Sequence, residues 1–467
     1  MTDQSDGHSP DALVIFGITG DLARQMTFRA LYRLERRGLL DFPIYGIGRR
    51  ELDDDGLRER AREAIAEHEE NIDEQAFSRF AERLSYVRGD LNDPELHQRL
   101  HDRLAHSSRP AFYLETPPDL FAEVVDRLAH AGTLHDQSRV LIEKPFGYDL
   151  KSARELAADL HQHLDESQIF RIDHFLGKLG IEELLYLRFA NTTLEPIWNS
   201  NYIASVQLSM VEESDVEGRG SFYDPVGQLR DDVVNHLMQL LAAAAMEAPS
   251  GADPDTLQAA RLDLFRAVAD ADPARYVRGQ YDGYRELDGV DDDSQTETFA
   301  ALELRIENWR WAGVPFLVRT GKALPMKATE LRLVFKRPPT PLFLRDDPAT
   351  APEPAQLVVR LDPRPGVQLL LDARRPDRGG QFDMALEREF PAEGDEGPTP
   401  YEVVLAAALR GDREHFVSQS NVEECWRIFQ PLLDSPGPAH SYRRGSWGPE
   451  QGRQIAEPYG GWHEPWL

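Results

Sequence analysis

An α/β domain built on a parallel sheet, followed by a larger α+β domain with a mainly antiparallel sheet and helices, is the fold the sequence predicts. Three observations predict it. Apolar, β-branched runs alternate with amphipathic helix patterns at βαβ spacing from residue 12 to about 172. A glycine turn joins the first of these runs to the first helix pattern. Beyond 172 the alternation gives way to long helix patterns and period-2 runs of the kind that pair antiparallel. At ~150 residues per domain, a chain of 467 residues has room for two or three domains.

The elements follow in order. Residues 1–11 read as a disordered tail. "ALVIFG" (12–17) is a buried-strand run, and "DLARQMTFRALYRLERRG" carries apolar positions at Leu22, Met26, Leu31 and Leu34, with Gly38 as its stop. "PIYGIGR" (43–49), "LSYVRGD", "PAFYLETPP", "SRVLIEKPFG" and "IFRID" supply further strands. Helix patterns at 56–69, 74–83, 94–105 and 119–131 stand between them. In the second part, 178–190 and 226–247 read as long helices. The runs "IASVQLSMVE", "TFAALELRIENWRW", "ELRLVF", "LVVRLDP" and "VQLLLDA" read as strands. The proline-rich stretch 337–356 reads as a surface connection, and helices are expected at 401–410 and 421–433, ahead of an irregular aromatic tail.

Composition excludes several classes. The net charge of −29 opposes encounter with nucleic acid or an anionic membrane, so a phosphate-bearing ligand must be gripped by a local cluster of cations. No apolar run reaches the ~18 residues of a membrane span, and the polar N-terminus has no signal-peptide pattern. The single cysteine, Cys425, rules out an intrachain disulfide and Cys-built metal sites; it fits a reducing, cytoplasmic setting and a packing role.

"VIFGITGDLA" sets Gly17 and Gly20 between strand and helix, with Asp21 and Leu22 opening the helix. Such a turn lets backbone N–H groups approach a pyrophosphate at a helix N-terminus. The spacing is G-x-x-G-x-x-A, so a plain tight turn is the alternative; position at the chain start favours a dinucleotide. Arg49 and Arg50 close the second strand, where an Arg accommodates a 2′-phosphate. They suggest NADP, with NAD left open and simple solvation of a strand end as the other reading.

"RIDHFLGK" (171–178) concentrates an Asp, a His and a Lys. The chain has six Lys against 46 Arg, and three of the six, Lys144, Lys178 and Lys322, stand in compact motifs beside glycine. A position that keeps Lys in an Arg-rich chain suits a compact ammonium. With a helix expected after "IFRID", Asp173 sits at its N-cap, and His174 and Lys178 share one face at i,i+4, a pair suited to phosphate. The bland alternatives are a cap and a solvated face. In "LRDDVVNHLMQLLAAAAME" a polar strip of Asp232, Asn235, His236 and Gln239 lies beside an apolar stripe, which suggests a wet cleft or a hydrogen-bonded structural histidine.

"GITGDLA", "EKPFG", "RIDHFLGK", "LRFANTTLEPIWN", "EGRGSFYD", "LRDDVVNHLMQLLAAAAME", "NWRWAGVPFLVRTGK" and "GSWGP" are similar, in this order, to motifs of glucose-6-phosphate dehydrogenases, over about residues 12 to 450. The resemblance implies a Rossmann-like dinucleotide-binding domain (12–172) and an α+β domain for substrate binding and oligomerisation (173–467). It implies oxidation of glucose 6-phosphate at C1 to 6-phosphogluconolactone, the first step of the oxidative pentose phosphate pathway, in a homodimer or homotetramer. By the same resemblance His236 matches the general base and Asp173 its carboxylate partner. His174 and Lys178 match the phosphate grip. Lys144 matches a lysine near both nicotinamide and sugar, Glu212 and Asp231 match carboxylates on sugar hydroxyls, and Lys322 matches a further substrate-side lysine. Gly17, Gly20, Asp21, Leu22 and Arg49 fall on the cofactor side.

Four positions depart from the family pattern. Met26 replaces a lysine, for which Arg24 or Arg29 could compensate; Leu179 replaces a glutamate, Phe175 a tyrosine, and Glu115 a small residue near the cofactor. They keep two other readings open: a catalytically weak binding or regulatory paralogue, and a related sugar dehydrogenase with relaxed cofactor choice.

Overall fold

The computed structural model describes residues 9–340, 353–374, 381–390 and 397–466. The expected N-terminal tail therefore lies outside the described residues as far as 8, and the proline-rich connection lies outside them over 341–352. Two compact units form. Unit 1 runs through Gly177 and adds Ser250–Gln258 and Pro398–Glu423; unit 2 takes Lys178–Pro249, Ala259–Gly397 and the chain from Glu424.

Unit 1 is a seven-stranded sheet. Its strands are β1 (Ala12–Phe16), β2 (Ile44–Gly48), β3 (Leu84–Arg88), β4 (Pro110–Leu114), β5 (Arg139–Glu143), β6 (Ile169–Ile172) and the short β15 (Phe416–Val417). The order is β15-β6-β5-β4-β1-β2-β3, with all pairs parallel except β15 on β6. This is the doubly wound order, in which ligands bind beyond the carboxyl ends of the strands. β1 and β4 are wholly buried, which is why both read as unbroken apolar runs rather than alternations. The tail ends sooner than expected: Asp11 accepts hydrogen bonds from the Ser108 and Arg109 backbone at 2.8 and 3.1 Å, which pins the chain just before β1.

Unit 2 carries a nine-stranded sheet. Its members are β7 (Ile203–Val211), β8 (Tyr276–Tyr281), β9 (Phe299–Arg305), β10 (Pro315–Gly321), β11 (Ala328–Phe335), β12 (Gln356–Asp362), β13 (Gly366–Arg374), β14 (Gln381–Glu389) and β16 (Ala439–Tyr442). The order is β14-β13-β12-β11-β7-β10-β9-β8-β16. It is antiparallel apart from β10 on β7 and β16 on β8. The parallel pair matters most for chemistry, because it ends Val211 and Gly321 side by side.

Two helices depart from plain α geometry. After the glycine turn, Ala23–Thr27 is π-helical before α-helix resumes over Phe28–Arg36. The expected helix over 226–247 is π-helical over Leu229–Leu237 and α-helical only over Met238–Ala245. π turns are rare and cluster at functional sites. Among the described residues no helix is long and apolar enough to cross a membrane.

Candidate active site

In unit 1 the candidate residues collect at the carboxyl edge of the parallel sheet. Gly17 follows β1, Arg49 follows β2, Lys144 follows β5, and Asp173 and His174 follow β6. Gly17 has φ +87°, and a Cβ there would lie 2.3 Å from the Glu115 carbonyl oxygen, so only glycine fits. Its N–H donates to the Ile47 carbonyl at 3.0 Å, and the Gly20 N–H to the Gly17 carbonyl at 2.7 Å, which closes the turn. Asp21 is exposed and Leu22 half-buried at the start of the helix. Arg49 and Arg50 are exposed, and neither has an ion-pair partner among the described residues. Arg24 is paired with Glu67 and Arg29 with Glu69 at 2.7 Å, so acids of a neighbouring loop hold both guanidiniums.

The edge also bears residues that the motifs did not assign. Glu115, just after β4, bonds the fully buried Thr27 hydroxyl through one carboxyl oxygen. Its other oxygen and the neighbouring Thr116 hydroxyl are buried with no hydrogen-bond partner among the described residues. Orphaned polar atoms at the carboxyl edge of such a sheet are what a bound polar ligand would satisfy. Beside the glycine turn that opens the helix, they fit a dinucleotide there.

Burial, reinforced by the charge of Glu143, pushes the Glu115 pKa up to about 8, against the Thr27 bond. The folded state then keeps a proton that the unfolded chain releases. The resulting stability is complete below the ordinary carboxylate range and is lost as pH rises towards about 8. Glu115→Gln removes that loss, so its Tm advantage over wild type grows by a few degrees between pH 5 and pH 9. Thermal melts at several pH values check this; a difference that stays flat with pH overturns the assignment of a proton to Glu115.

Asp173 is 1% exposed, and its carboxylate accepts the Phe175 N–H at 3.0 Å. It thus caps a short 3₁₀ turn, His174–Gly177, rather than the expected α-helix. The helix begins only at Leu179, with Lys178 in extended conformation (φ −76°, ψ 131°) at its N-cap. His174 and Lys178 therefore do not share a helix face: Gly177, in the tight 3₁₀ turn, interrupts the regular i,i+4 register. The His174 ring stacks on Tyr401, centroids 5.5 Å apart and planes 14° from parallel.

In unit 2 the parallel ends of β7 and β10 put Glu212 beside Lys322. The Glu212 N–H donates to the Gly321 carbonyl at 3.0 Å, and the Lys322 ammonium pairs with the Glu212 carboxylate. Asp232 and Asp231, from the π-helical turn, approach the same ammonium at 3.6 and 4.0 Å. Burial works against the charge of Lys322, but Asp232, Glu212 and Asp231 outweigh it and hold its pKa well above the usual lysine range. Gln228 donates to Thr320 at 2.6 Å and to Asp232, which fixes that acid in place. His236 lies on the same π-helical turn and is 4% exposed. Lys178 is paired with Asp362, at the end of β12, 184 residues further along the chain.

The structure thus gathers Glu212, Asp231 and Lys322 in one cluster and adds Asp232, which the polar strip had marked without a role. Asp362 and Glu143 carried no local signal in the sequence.

Known proteins share the sequence pattern and the fold of this chain. Residues 14–182 match the domain described as "Glucose-6-phosphate dehydrogenase, NAD binding domain", and residues 185–464 the one described as "Glucose-6-phosphate dehydrogenase, C-terminal domain". Glucose-6-phosphate 1-dehydrogenase 1 of Mycobacterium tuberculosis is 50% identical over 100% of this chain and 99% of its own. The crystal structure of glucose-6-phosphate 1-dehydrogenase from Mycobacterium avium superposes with a TM-score of 0.91 at 49% identity, covering 99% of this chain and all of that one. A glucose-6-phosphate dehydrogenase in complex with glucose 6-phosphate superposes with a TM-score of 0.89 at 31% identity, covering 100% of both chains. With both domains matched in order and half of all positions identical along the full length, the chain belongs to the glucose-6-phosphate dehydrogenase family.

Proposed function

We propose that this chain oxidises glucose 6-phosphate at C1 to 6-phosphogluconolactone with NADP as the hydride acceptor, and that it does so as a homo-oligomer. The observation that carries the reading is the full-length match at 50% identity to a glucose-6-phosphate 1-dehydrogenase. In this reading residues 12–172 bind the dinucleotide and 173–467 bind the sugar. The exposed Arg49 supports NADP, since its guanidinium has no ion-pair partner among the described residues.

The roles follow from the chemistry. Forming the lactone removes a proton from the C1 hydroxyl and a hydride from C1. The nicotinamide, when bound, takes the hydride. His236 is the general base, because an imidazole can accept a proton near neutral pH. Asp173 is the carboxylate that orients this imidazole and stabilises it as it becomes charged. Glu212 and Asp231 accept hydrogen bonds from sugar hydroxyls, beside the Lys322 ammonium. Lys144 serves the nicotinamide and sugar ends, and Gly17, Gly20, Asp21 and Leu22 line the pyrophosphate. His174 and Lys178 hold the phosphate, whose binding energy places C1 for reaction.

The test mixes purified protein with glucose 6-phosphate and NADP or NAD and follows absorbance of the reduced nicotinamide. Reduction with NADP, weaker with NAD, is expected. No reduction with either cofactor over hours overturns the reading, and reduction with NAD alone overturns the role of Arg49. A charge-assisted phosphate contact contributes roughly 1.5–3 kcal/mol. Lys178→Ala therefore raises KM for glucose 6-phosphate at least about tenfold, and its defect shrinks on free glucose. An equal defect on both sugars removes Lys178 from the phosphate site.

A further inference from the structure

One acid at the carboxyl edge of unit 1 has no part in the roles given above. Glu115 follows β4, and its N–H donates to the Phe16 carbonyl at 2.9 Å, so the β1–β4 ladder runs on to the glycine turn. β1 and β4 are the neighbours at which the strand order β3-β2-β1-β4-β5-β6 reverses its direction. In a doubly wound sheet this is the crevice that a dinucleotide crosses. The residue that reads the adenosine ribose stands at the end of the second strand, as Arg49 does here. The adenosine half therefore belongs to β1–β3, which leaves β4–β6 to the nicotinamide half. Glu115 ends the first strand of that second set.

Its carboxyl has one anchor and one open atom. Oε1 accepts the hydroxyl of Thr27, which is fully buried on the π-helical turn after the glycines. Oε2 is buried and has no hydrogen-bond partner among the described residues, and neither has the hydroxyl of Thr116 next to it in the chain. A buried carboxyl with one neutral hydrogen bond favours its uncharged form. Burial, with the like charge of Glu143 behind it, accordingly pushes the Glu115 pKa up to about 8. Since Oε1 is already an acceptor, the proton belongs on Oε2, which becomes a buried donor with nothing to donate to. Such a group is costly until an acceptor arrives. An ionised carboxylate would also oppose a pyrophosphate on the adjacent glycine turn, whereas a neutral acid does not.

We propose that Glu115 is a cofactor-recognition residue: anchored by Thr27, its neutral carboxyl donates a hydrogen bond from Oε2 to the nicotinamide half of the dinucleotide. The inference rests on the dinucleotide reading of this edge given above. It predicts a loss confined to one half of the cofactor, which a general loosening of the glycine turn would not produce.

Isothermal titration of the purified full chain with NADP, and with adenosine 2′,5′-bisphosphate, which lacks the nicotinamide half, tests it. Glu115→Ala raises the Kd for NADP about three- to tenfold, the effect of one lost neutral hydrogen bond, and leaves the Kd for the bisphosphate within about twofold of wild type. Glu115→Gln keeps an acceptor for Thr27 and a donor in the place of Oε2, so it binds NADP within about twofold of wild type. A wild-type Kd for NADP in Glu115→Ala, an equal loss for both compounds, or a Glu115→Gln protein as weak as Glu115→Ala overturns the proposal. Failure of the underlying reading has a different signature: a wild-type chain that binds neither compound removes the dinucleotide from this edge, and the role of Glu115 with it.

Discussion

Replacing His236 by Ala lowers kcat by about 10²–10⁴-fold, the range a positioned general base supplies, and leaves KM for glucose 6-phosphate within about threefold of wild type. The split follows from the division of labour proposed above. His236 is 4% exposed on a π-helical turn whose acids, Asp231 and Asp232, approach Lys322, and the proposal above gives the proton to the imidazole. The phosphate grip belongs to other residues, and the remote phosphate provides the binding energy. Steady-state kinetics with saturating NADP separate the two parameters. A His236→Ala enzyme that keeps its rate at saturation and loses affinity for the sugar phosphate would show that the imidazole binds substrate instead.

Much of this was legible in the sequence because it depends on local pattern. Strands β1 and β4 of unit 1 are buried on both faces, so the apolar runs "ALVIF" and "PAFYL" announce them directly. Gly17 is readable for a similar reason: the turn needs a residue without Cβ, and a single letter states that. The π-helical turn at Leu229–Leu237 was not legible, since its apolar positions still suit an α-helix and one extra residue per turn leaves no mark in the spacing. Nor was the late start of the helix at Leu179, since "HFLGKLG" has two glycines and either could break the pattern. Pairings across the chain are beyond any local pattern. Lys178 with Asp362 joins positions 184 residues apart. The same holds for 398–423, whose amphipathic helix shows that it has a core to join but not that the core is the one in unit 1.

Lys322→Met lowers stability by about 3–5 kcal/mol, the usual cost of removing one partner from a buried ionic group. At roughly 2–4 °C per kcal/mol for domains of this size, the Tm falls by about 10 °C at pH 8. Methionine nearly matches the volume, so the loss is electrostatic. It leaves Glu212, Asp231 and Asp232 facing one another without the cation that now sits within 4.0 Å of all three. The pH dependence has a definite sign. In wild type the carboxylates hold the lysine pKa above its unfolded value, so its stabilisation is fully present at neutral pH and is lost only as pH rises through the folded value. In the variant, mutual repulsion raises the pKa of at least one acid, and the deficit shrinks as pH falls and that acid takes a proton. Adding Glu212→Gln to Lys322→Met recovers part of the lost Tm by removing one of the opposed charges, whereas Glu212→Gln alone costs stability; the sign reversal is the signature of direct coupling. A Lys322→Met protein that melts within about 2 °C of wild type at pH 8 would mean that water, not the lysine, keeps the three acids apart, and the charged floor assigned to the sugar site would have to be redrawn.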